Sequence, residues 1–302
     1  MTGASGFVGR VLLKNLATSP EIENVENLFL AYHKVPIPQH IVQRLQEKTS
    51  VETVQHDATQ TWYFHSDMDV VVNLAADGTY EPYSPSSIAK FTSIGENMTH
   101  WLDHSSVVRI VHASSGICDY LEAATGAPIL ASPGKRDFAE GRRNVENIVR
   151  EKENSQRSSR ILRLYSFVGK ELLSKPQYAI NQFLTSAVER RTIQVRGNSG
   201  TRRSYLSEED LGNVLRNSIF ESSFPSLTSV GSHEAVTMSE VATKIAKAFQ
   251  VPIIFSGEDE PVEDYFPEHS KHLLPSLTDL RYSWDDTIQT FLADLSCNSV
   301  ES

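Results

Sequence analysis

Short β-branched, apolar runs alternate with longer stretches of helical period through the first half of the chain. Asn27–Tyr32, Val51–His56, Asp69–Ala75, Val107–Ala113 and Arg160–Ser166 predict strands. Between them, Phe7–Ala17, Ile41–Lys48, Ile88–Asp103 and Phe138–Glu153 predict helices, and in the last of these Phe138, Val145, Ile148 and Val149 recur on one side at helical spacing. Apolar strands separated by amphipathic helices imply a parallel sheet covered on both faces, a doubly wound α/β arrangement. The second half mixes shorter elements. A helix is expected over Gln177–Arg190, a strand over Ile193–Arg196, a helix over Thr237–Phe249 and a last helix over Trp284–Leu295, with Ser296–Ser302 as a frayed tail.

Composition narrows the function classes. The chain has 302 residues, 39% hydrophobic and 22% charged, which suits one large or two medium globular domains. Its net charge of −10 weighs against nucleic acid or an anionic membrane surface as the main partner. The longest apolar stretches, such as Val70–Val72, are far too short to span a bilayer, and no secretory pattern opens the chain. The two cysteines, Cys118 and Cys297, have no bridging or metal-site spacing, so a cytoplasmic setting is expected. The ten histidines show no HExxH or HxH spacing, so no metal is expected, and no GxSxG elbow suggests a serine hydrolase.

The strongest chemical signal is at the start. Residues 2–9 read Thr-Gly-Ala-Ser-Gly-Phe-Val-Gly, placing Gly3, Gly6 and Gly9 just before a helical stretch. Glycines there let the backbone approach a pyrophosphate, which sits on the helix N-terminus. The string resembles the TGxxGxxG signature of the extended short-chain dehydrogenase/reductases, in particular their NAD-dependent epimerase/dehydratase branch, and the resemblance runs nearly end to end. Asp57 matches a residue that contacts adenine, Asn73-Leu74-Ala75-Ala76 the HLAA-like stretch beside the cofactor, and Ser115 of Ser114-Ser115 the catalytic Ser/Thr. Arg163-Leu164-Tyr165-Ser166-Phe167-Val168-Gly169 resembles the strand and turn that lead into the substrate domain. Arg203, in Thr201-Arg202-Arg203-Ser204-Tyr205-Leu206 before Asp210-Leu211, matches an arginine that holds a substrate diphosphate, and Val230-Gly231-Ser232 resembles the NVGS turn.

What the resemblance implies is specific. The fold is a Rossmann-type doubly wound parallel sheet over 1–168, with 204–220 packing back onto it. A smaller C-terminal α/β substrate-binding domain is expected over 169–203 and 221–296, with 297–302 a disordered tail. The expected activity is NAD(P)-dependent oxidation at a carbon of a nucleotide-linked sugar, followed by epimerisation, elimination or decarboxylation. Gly3, Ser5, Gly6, Phe7, Val8, Asp57, Leu74, Ala75, Ala76 and Arg142 are the implied cofactor contacts. Ser115, Asn181 and Arg203 are the implied substrate contacts, with Gln177 and Tyr178 near them. A homodimer is expected through the helices around Ile88–Asp103 and Phe138–Glu153, using Phe91, Ile94, Met98, Trp101 and Leu102, unless these residues pack only against the chain's own sheet.

Three departures change the reading. The family strand that precedes Thr-Gly is absent ahead of Thr2, so the chain is expected to be a fragment or to carry a misassigned start. The family's Tyr-x-x-x-Lys pair falls on Phe138 and Arg142, in a register fixed by Glu140-Gly141, Arg143 and Glu146. Phenylalanine has no ionisable group, and losing a positioned acid/base costs about 10²–10⁴ in rate. Tyr120 and Tyr165 are candidate substitutes, or else packing residues. The second strand ends Ala31-Tyr32-His33-Lys34 without an acid, which tilts the cofactor towards NADP. The alternative reading is a non-catalytic dinucleotide or nucleotide-sugar binding protein with a regulatory or partner-stabilising role.

Overall fold

The computed structural model describes residues 1–76, 83–123, 127–169, 178–232, 234–257, 259–267, 270–273 and 284–298. The first half runs α1 (Phe7–Thr18), β1 (Asn27–Tyr32), α2 (Gln39–Gln46), β2 (Ser50–Gln55), β3 (Val70–Asn73), α3 (Pro85–Leu102), β4 (Arg109–Ser115), α4 (Ile117–Glu122), α5 (Pro133–Arg150) and β5 (Ser158–Leu164). The second half adds β6 (Ser166–Val168), α6 (Ala179–Val188), β7 (Ile193–Val195), β8 (Arg202–Ser207), α7 (Glu208–Phe220), β9 (Leu227–Val230), β10 (Ala235–Thr237), α8 (Met238–Phe249), β11 (Ile253–Phe255) and α9 (Trp284–Asn298).

The main sheet is parallel, with β3, β4, β5 and β9 in that order and β1 paired to β2 alongside. Residues 1–2 join the two groups. The Thr2 N–H donates to the Val72 carbonyl at 2.9 Å and the Leu74 N–H to that of Thr2 at 3.2 Å; on the other side the Ala31 N–H donates to the Met1 carbonyl at 2.8 Å. The place expected for a whole strand is thus held by two residues, with Met1, Leu28 and Val70 partly buried at the margin of the core.

Apolar stripes explain the layers. On one face α1, α2 and α7 bury Leu12, Leu13, Ile41, Leu45, Leu211 and Leu215 against the sheet. On the other, α3 and α5 bury Phe91, Ile94, Met98, Val145 and Val149 against Val71, Ile110 and Ile161. A separate core under β7 and β8 gathers Phe183, Leu184, Val241, Ile245, Trp284 and Ile288 from α6, α8 and α9. Capping sets several starts. Ser84 accepts from the Ser87 N–H with Pro85 at the first turn of α3, and Thr237 with Glu240 forms a capping box on α8. At the other end of a helix, the guanidinium groups of Arg109 and Arg160 donate to the carbonyls of Ile219 and Ser218 and so close α7.

Three observations bear on the expected arrangement. β9, in the stretch assigned to the smaller domain, pairs with β5 in the main sheet; β8 pairs with β6 and β10 instead of rejoining it, while α7 does pack onto α1. The helix α9 continues to Asn298, past the expected start of the tail, because no glycine or proline interrupts it. The apolar residues expected at a dimer seam, Phe91, Ile94, Met98, Trp101 and Leu102, are buried in the chain's own core. Among the described residues, α3 and α5 expose no large hydrophobic side chain. No described helix is long and apolar enough to cross a membrane.

Candidate functional site

The turn at Gly3–Gly9 has the shape its glycines require. Gly3 has φ +70°, and a Cβ there would lie 2.6 Å from the Leu74 backbone; a Cβ on Gly9 would strike the Gly3 carbonyl. Gly6 differs, since a Cβ would meet only the Gly3 oxygen, at 3.2 Å, leaving its other side open. Gly6 is the N-cap of α1 and supplies no side-chain acceptor to the first turn, where Phe7 and Val8 stand. Open backbone at a helix N-terminus suits a diphosphate. Ser5 fixes the turn by accepting Arg10 Nη1 on its carbonyl at 2.8 Å.

The stretch after β3 is anchored by Asn73, which is fully buried. Its Oδ1 accepts Thr2 Oγ1 at 2.7 Å and the Ala75 N–H at 3.3 Å, holding Leu74 and Ala75 beside the turn, with Ala76 next in the chain. Its Nδ2 faces His112 Nδ1 at 3.1 Å, which leaves Nε2 of His112 buried without a partner. Burial pulls that imidazole down to about 3, so it stays neutral. Asp57 accepts the Thr59 N–H and hydroxyl, and lies 3.6 Å from His33 Nε2. Burial would raise its carboxyl, but the Thr59 bonds and the neighbouring histidines hold it below the usual range. Of the two residues that gave the tilt to NADP, His33 lies beside the Asp57 carboxylate and Lys34 is exposed.

Phe138 and Arg142, expected from the sequence to take the places of a Tyr and a Lys, form a packing group. The Phe138 ring meets the edge of Tyr83 at 5.3 Å, and Arg142 lies with its guanidinium carbon 3.4 Å from the Phe91 centroid and 5.0 Å from that of Phe138. Burial lowers Arg142 to about 10. Neither candidate substitute is available: Tyr120 donates to the Phe266 carbonyl and accepts its N–H, both at 2.9 Å, and the Tyr165 hydroxyl donates to Asp119 Oδ2 at 2.7 Å.

Ser115, at the end of β4, meets a tyrosine that sequence reasoning missed. Its Oγ lies 3.1 Å from the hydroxyl of Tyr265, which also donates to the Leu164 carbonyl at 3.2 Å. The Tyr265 ring packs against Tyr165 at 4.8 Å and Tyr120 at 6.2 Å. Burial pushes its phenol above the usual tyrosine range, the Ser115 contact acting the other way. Beneath these rings Arg163 is buried among Glu146, Asp119 and Glu122, at 2.6–2.7 Å for the closest contacts, and Ser114 donates to Glu146 at 2.6 Å. Burial alone would disfavour the Arg163 cation, yet the three carboxylates keep it charged.

A cavity of about 570 Å³ opens between α6, β7 and β8. Tyr178, Gln182, Gln194, Asn198, Arg203 and Glu263 are among its walls. Arg203 is therefore where a diphosphate could be held. Asn181 is buried in α6 and does not line the cavity, whereas Tyr178 and Gln182 do; Gln177 lies outside the described residues. Among the described residues no cluster of three or more His, Cys, Asp or Glu could hold a metal ion.

The sequence matches the NAD dependent epimerase/dehydratase family over residues 1–217. No curated protein matches it. Among solved structures, a tyrosine-to-phenylalanine mutant of a UDP-glucuronic acid 4-epimerase from Bacillus cereus, in complex with UDP-4-deoxy-4-fluoro-glucuronic acid and NAD, is 15% identical with TM-score 0.74, covering 97% of this chain and 96% of that one. A dTDP-glucose 4,6-dehydratase from Bacillus anthracis in complex with NAD is 14% identical with TM-score 0.72, over 98% and 96%. A UDP-glucose 4-epimerase with UDP-glucose from Thermotoga maritima is 11% identical with TM-score 0.74, over 98% of both.

Proposed function

The chain belongs to the NAD-dependent epimerase/dehydratase family, and from that premise we propose that it binds NAD and a nucleotide sugar without performing the family's proton transfer. The observation that carries this is the packing at 138 and 142: the ring that the sequence matches to the family's proton carrier cannot ionise, and the cation beside it is folded onto Phe91. The binding parts are present. Gly3 and Gly9 let the turn close on itself, and Gly6 would leave room for a pyrophosphate that Phe7 and Val8 would cap with backbone N–H groups, while Leu74–Ala76 and Asp57 would flank the dinucleotide. A bound nicotinamide supplies a hydride acceptor or donor. The carboxylate beside His33 favours NAD over NADP. Arg203 would hold the diphosphate of a nucleotide sugar, the ligand class named for the similar solved structures. A cytoplasmic protein fits the buried free thiol of Cys118.

A second reading, an active epimerase or dehydratase, draws on the Tyr265 hydroxyl beside Ser115. It is weaker, because that phenol is held neutral and its proton is directed to the Leu164 carbonyl. Thermal melts with saturating NAD⁺, NADH, NADP⁺ or NADPH, alone and with UDP-glucose or dTDP-glucose, test the proposal. A ligand at about 100 times its Kd adds roughly 2.7 kcal/mol. The expected result is an upward shift with NAD⁺ or NADH and no epimerised, dehydrated or decarboxylated product when sugar nucleotide is added. No shift with any ligand overturns the binding reading, and steady turnover overturns the non-catalytic one.

A further inference from the structure

The short segment that carries Tyr265 crosses the mouth of the site as a strap. Lys135 at the start of α5 pairs with Glu263. Arg202 donates through its backbone N–H to Asp264 Oδ1 at 2.7 Å, and through Nε and Nη2 to Oδ2 at 3.0 and 2.7 Å. Arg203 Nη1 donates to the Glu263 carbonyl at 2.5 Å, and the Tyr265 N–H donates to the Arg202 carbonyl at 3.0 Å. Phe266 is clasped through both of its backbone groups by the Tyr120 hydroxyl. The strap is therefore attached to α5, α4 and β8 at once.

The position of the Tyr265 ring decides what can reach Ser115. The guanidinium carbon of Arg203, on the cavity wall, is 5.9 Å from the centroid of that ring, and the hydroxyl at the far end of the ring is 3.1 Å from Ser115 Oγ. The ring thus lies beside the cation that suits a diphosphate while its hydroxyl takes up the serine that suits a sugar. The cavity walls include Arg203 and Glu263 but neither Ser115 nor Tyr265. Ser115 is occupied as well. Its Oγ shares a hydrogen bond with the Tyr265 hydroxyl at 3.1 Å and accepts the Ile117 N–H at 3.4 Å.

We propose that the ligand class of this cavity is a nucleoside diphosphate recognised without its sugar, because Tyr265 stands in the sugar's place at Ser115. This rests on the binding reading above and narrows it. The diphosphate meets Arg203, the nucleoside meets the walls from α6 and β7, and a sugar attached to the distal phosphate is turned to solvent.

The test compares UDP, dTDP, CDP and GDP with their glucose conjugates by calorimetry on the full chain. For whichever base binds, the bare nucleotide and its conjugate are expected to agree within about twofold in Kd. Tyr265→Ala is expected to tighten the conjugate by about fivefold or more relative to the bare nucleotide, and Tyr265→Phe, which keeps the ring, to leave the ratio unchanged. Hydrogen exchange on the unsubstituted chain gives a readout that does not depend on a variant folding: the Tyr265 and Phe266 amides should stay protected with either ligand. A conjugate that binds about tenfold tighter than its bare nucleotide in the unsubstituted chain overturns the proposal. So does a conjugate that exposes those amides, or a folded Tyr265→Ala chain with an unchanged ratio. Absence of binding by every nucleotide overturns the cavity reading itself, which separates the two failures.

Discussion

Arg142 rests on Phe91, its guanidinium carbon 3.4 Å from the ring centroid and its Nε buried without a hydrogen-bond partner. A planar cation can stack there in a way that an ammonium cannot. Arg142→Lys is expected to lower stability by about 0.5–2 kcal/mol in urea unfolding, since the ring loses its partner. Phe138→Tyr and Arg142→Lys together would restore the family pair, but the Tyr265 ring still excludes the sugar. Turnover is therefore expected only when both are combined with Tyr265→Ala, by about 10²–10⁴ over Tyr265→Ala alone, followed by chromatography of the sugar-nucleotide product because the hydride returns to the sugar.

The three glycines of the first turn should separate binding from folding. Gly6→Ala meets a single backbone oxygen at 3.2 Å, so the melting temperature should change little while NAD affinity falls, because the new methyl points into the diphosphate space. Gly3→Ala puts a side chain at φ +70° against the Leu74 backbone and should cost at least about 1–3 kcal/mol of stability. Melting and NAD titration of both variants check this; equal losses of stability would contradict it.

The buried cation of Arg163 holds Asp119, Glu122 and Glu146 together. Arg163→Met leaves these carboxylates without a counter-charge and is expected to destabilise by about 3–5 kcal/mol in urea. Ser114→Ala removes one donor to Glu146 and should cost about 1 kcal/mol.

His112 gives the chain an acid-sensitive term. Its folded value is pulled down to about 3, below the ordinary value of about 6.5, so between these limits the unfolded chain binds a proton that the folded chain does not. Stability should then fall as pH drops from about 6 towards 3, by about 1.4 kcal/mol per pH unit from this residue alone. Unfolding of the parent and of His112→Phe across that range should show the slope reduced by this amount in the variant.

Much of the architecture was legible because it is local. The run Asn27–Tyr32 becomes β1 with the same limits, since its apolar run between polar neighbours suffices to define it. The helices α3 and α5 begin three and five residues before their apolar stripes, where Ser84-Pro85 and Ser132-Pro133 start the turn. A helical stripe does not say what it faces. Phe91, Ile94 and Met98 fit a partner subunit and the chain's own sheet equally well, and the sheet takes them. Gly3, Ser115 and Arg203 stand out in the sequence because they sit in short patterns. Tyr265 was not, because it reaches Ser115 across 150 residues through a strap whose path depends on Arg202, Lys135 and Tyr120.

The packed phenols of Tyr120, Tyr165 and Tyr265 also make the strap optically visible and alkali-sensitive. Burial raises Tyr120 to about 12 and lifts the other two further, so the folded chain keeps three protons that an unfolded chain releases above about pH 10. Alkali therefore draws the equilibrium towards the open chain. The tyrosinate absorbance of this trio should appear as a late, cooperative step that coincides with detachment of the segment from Ser115.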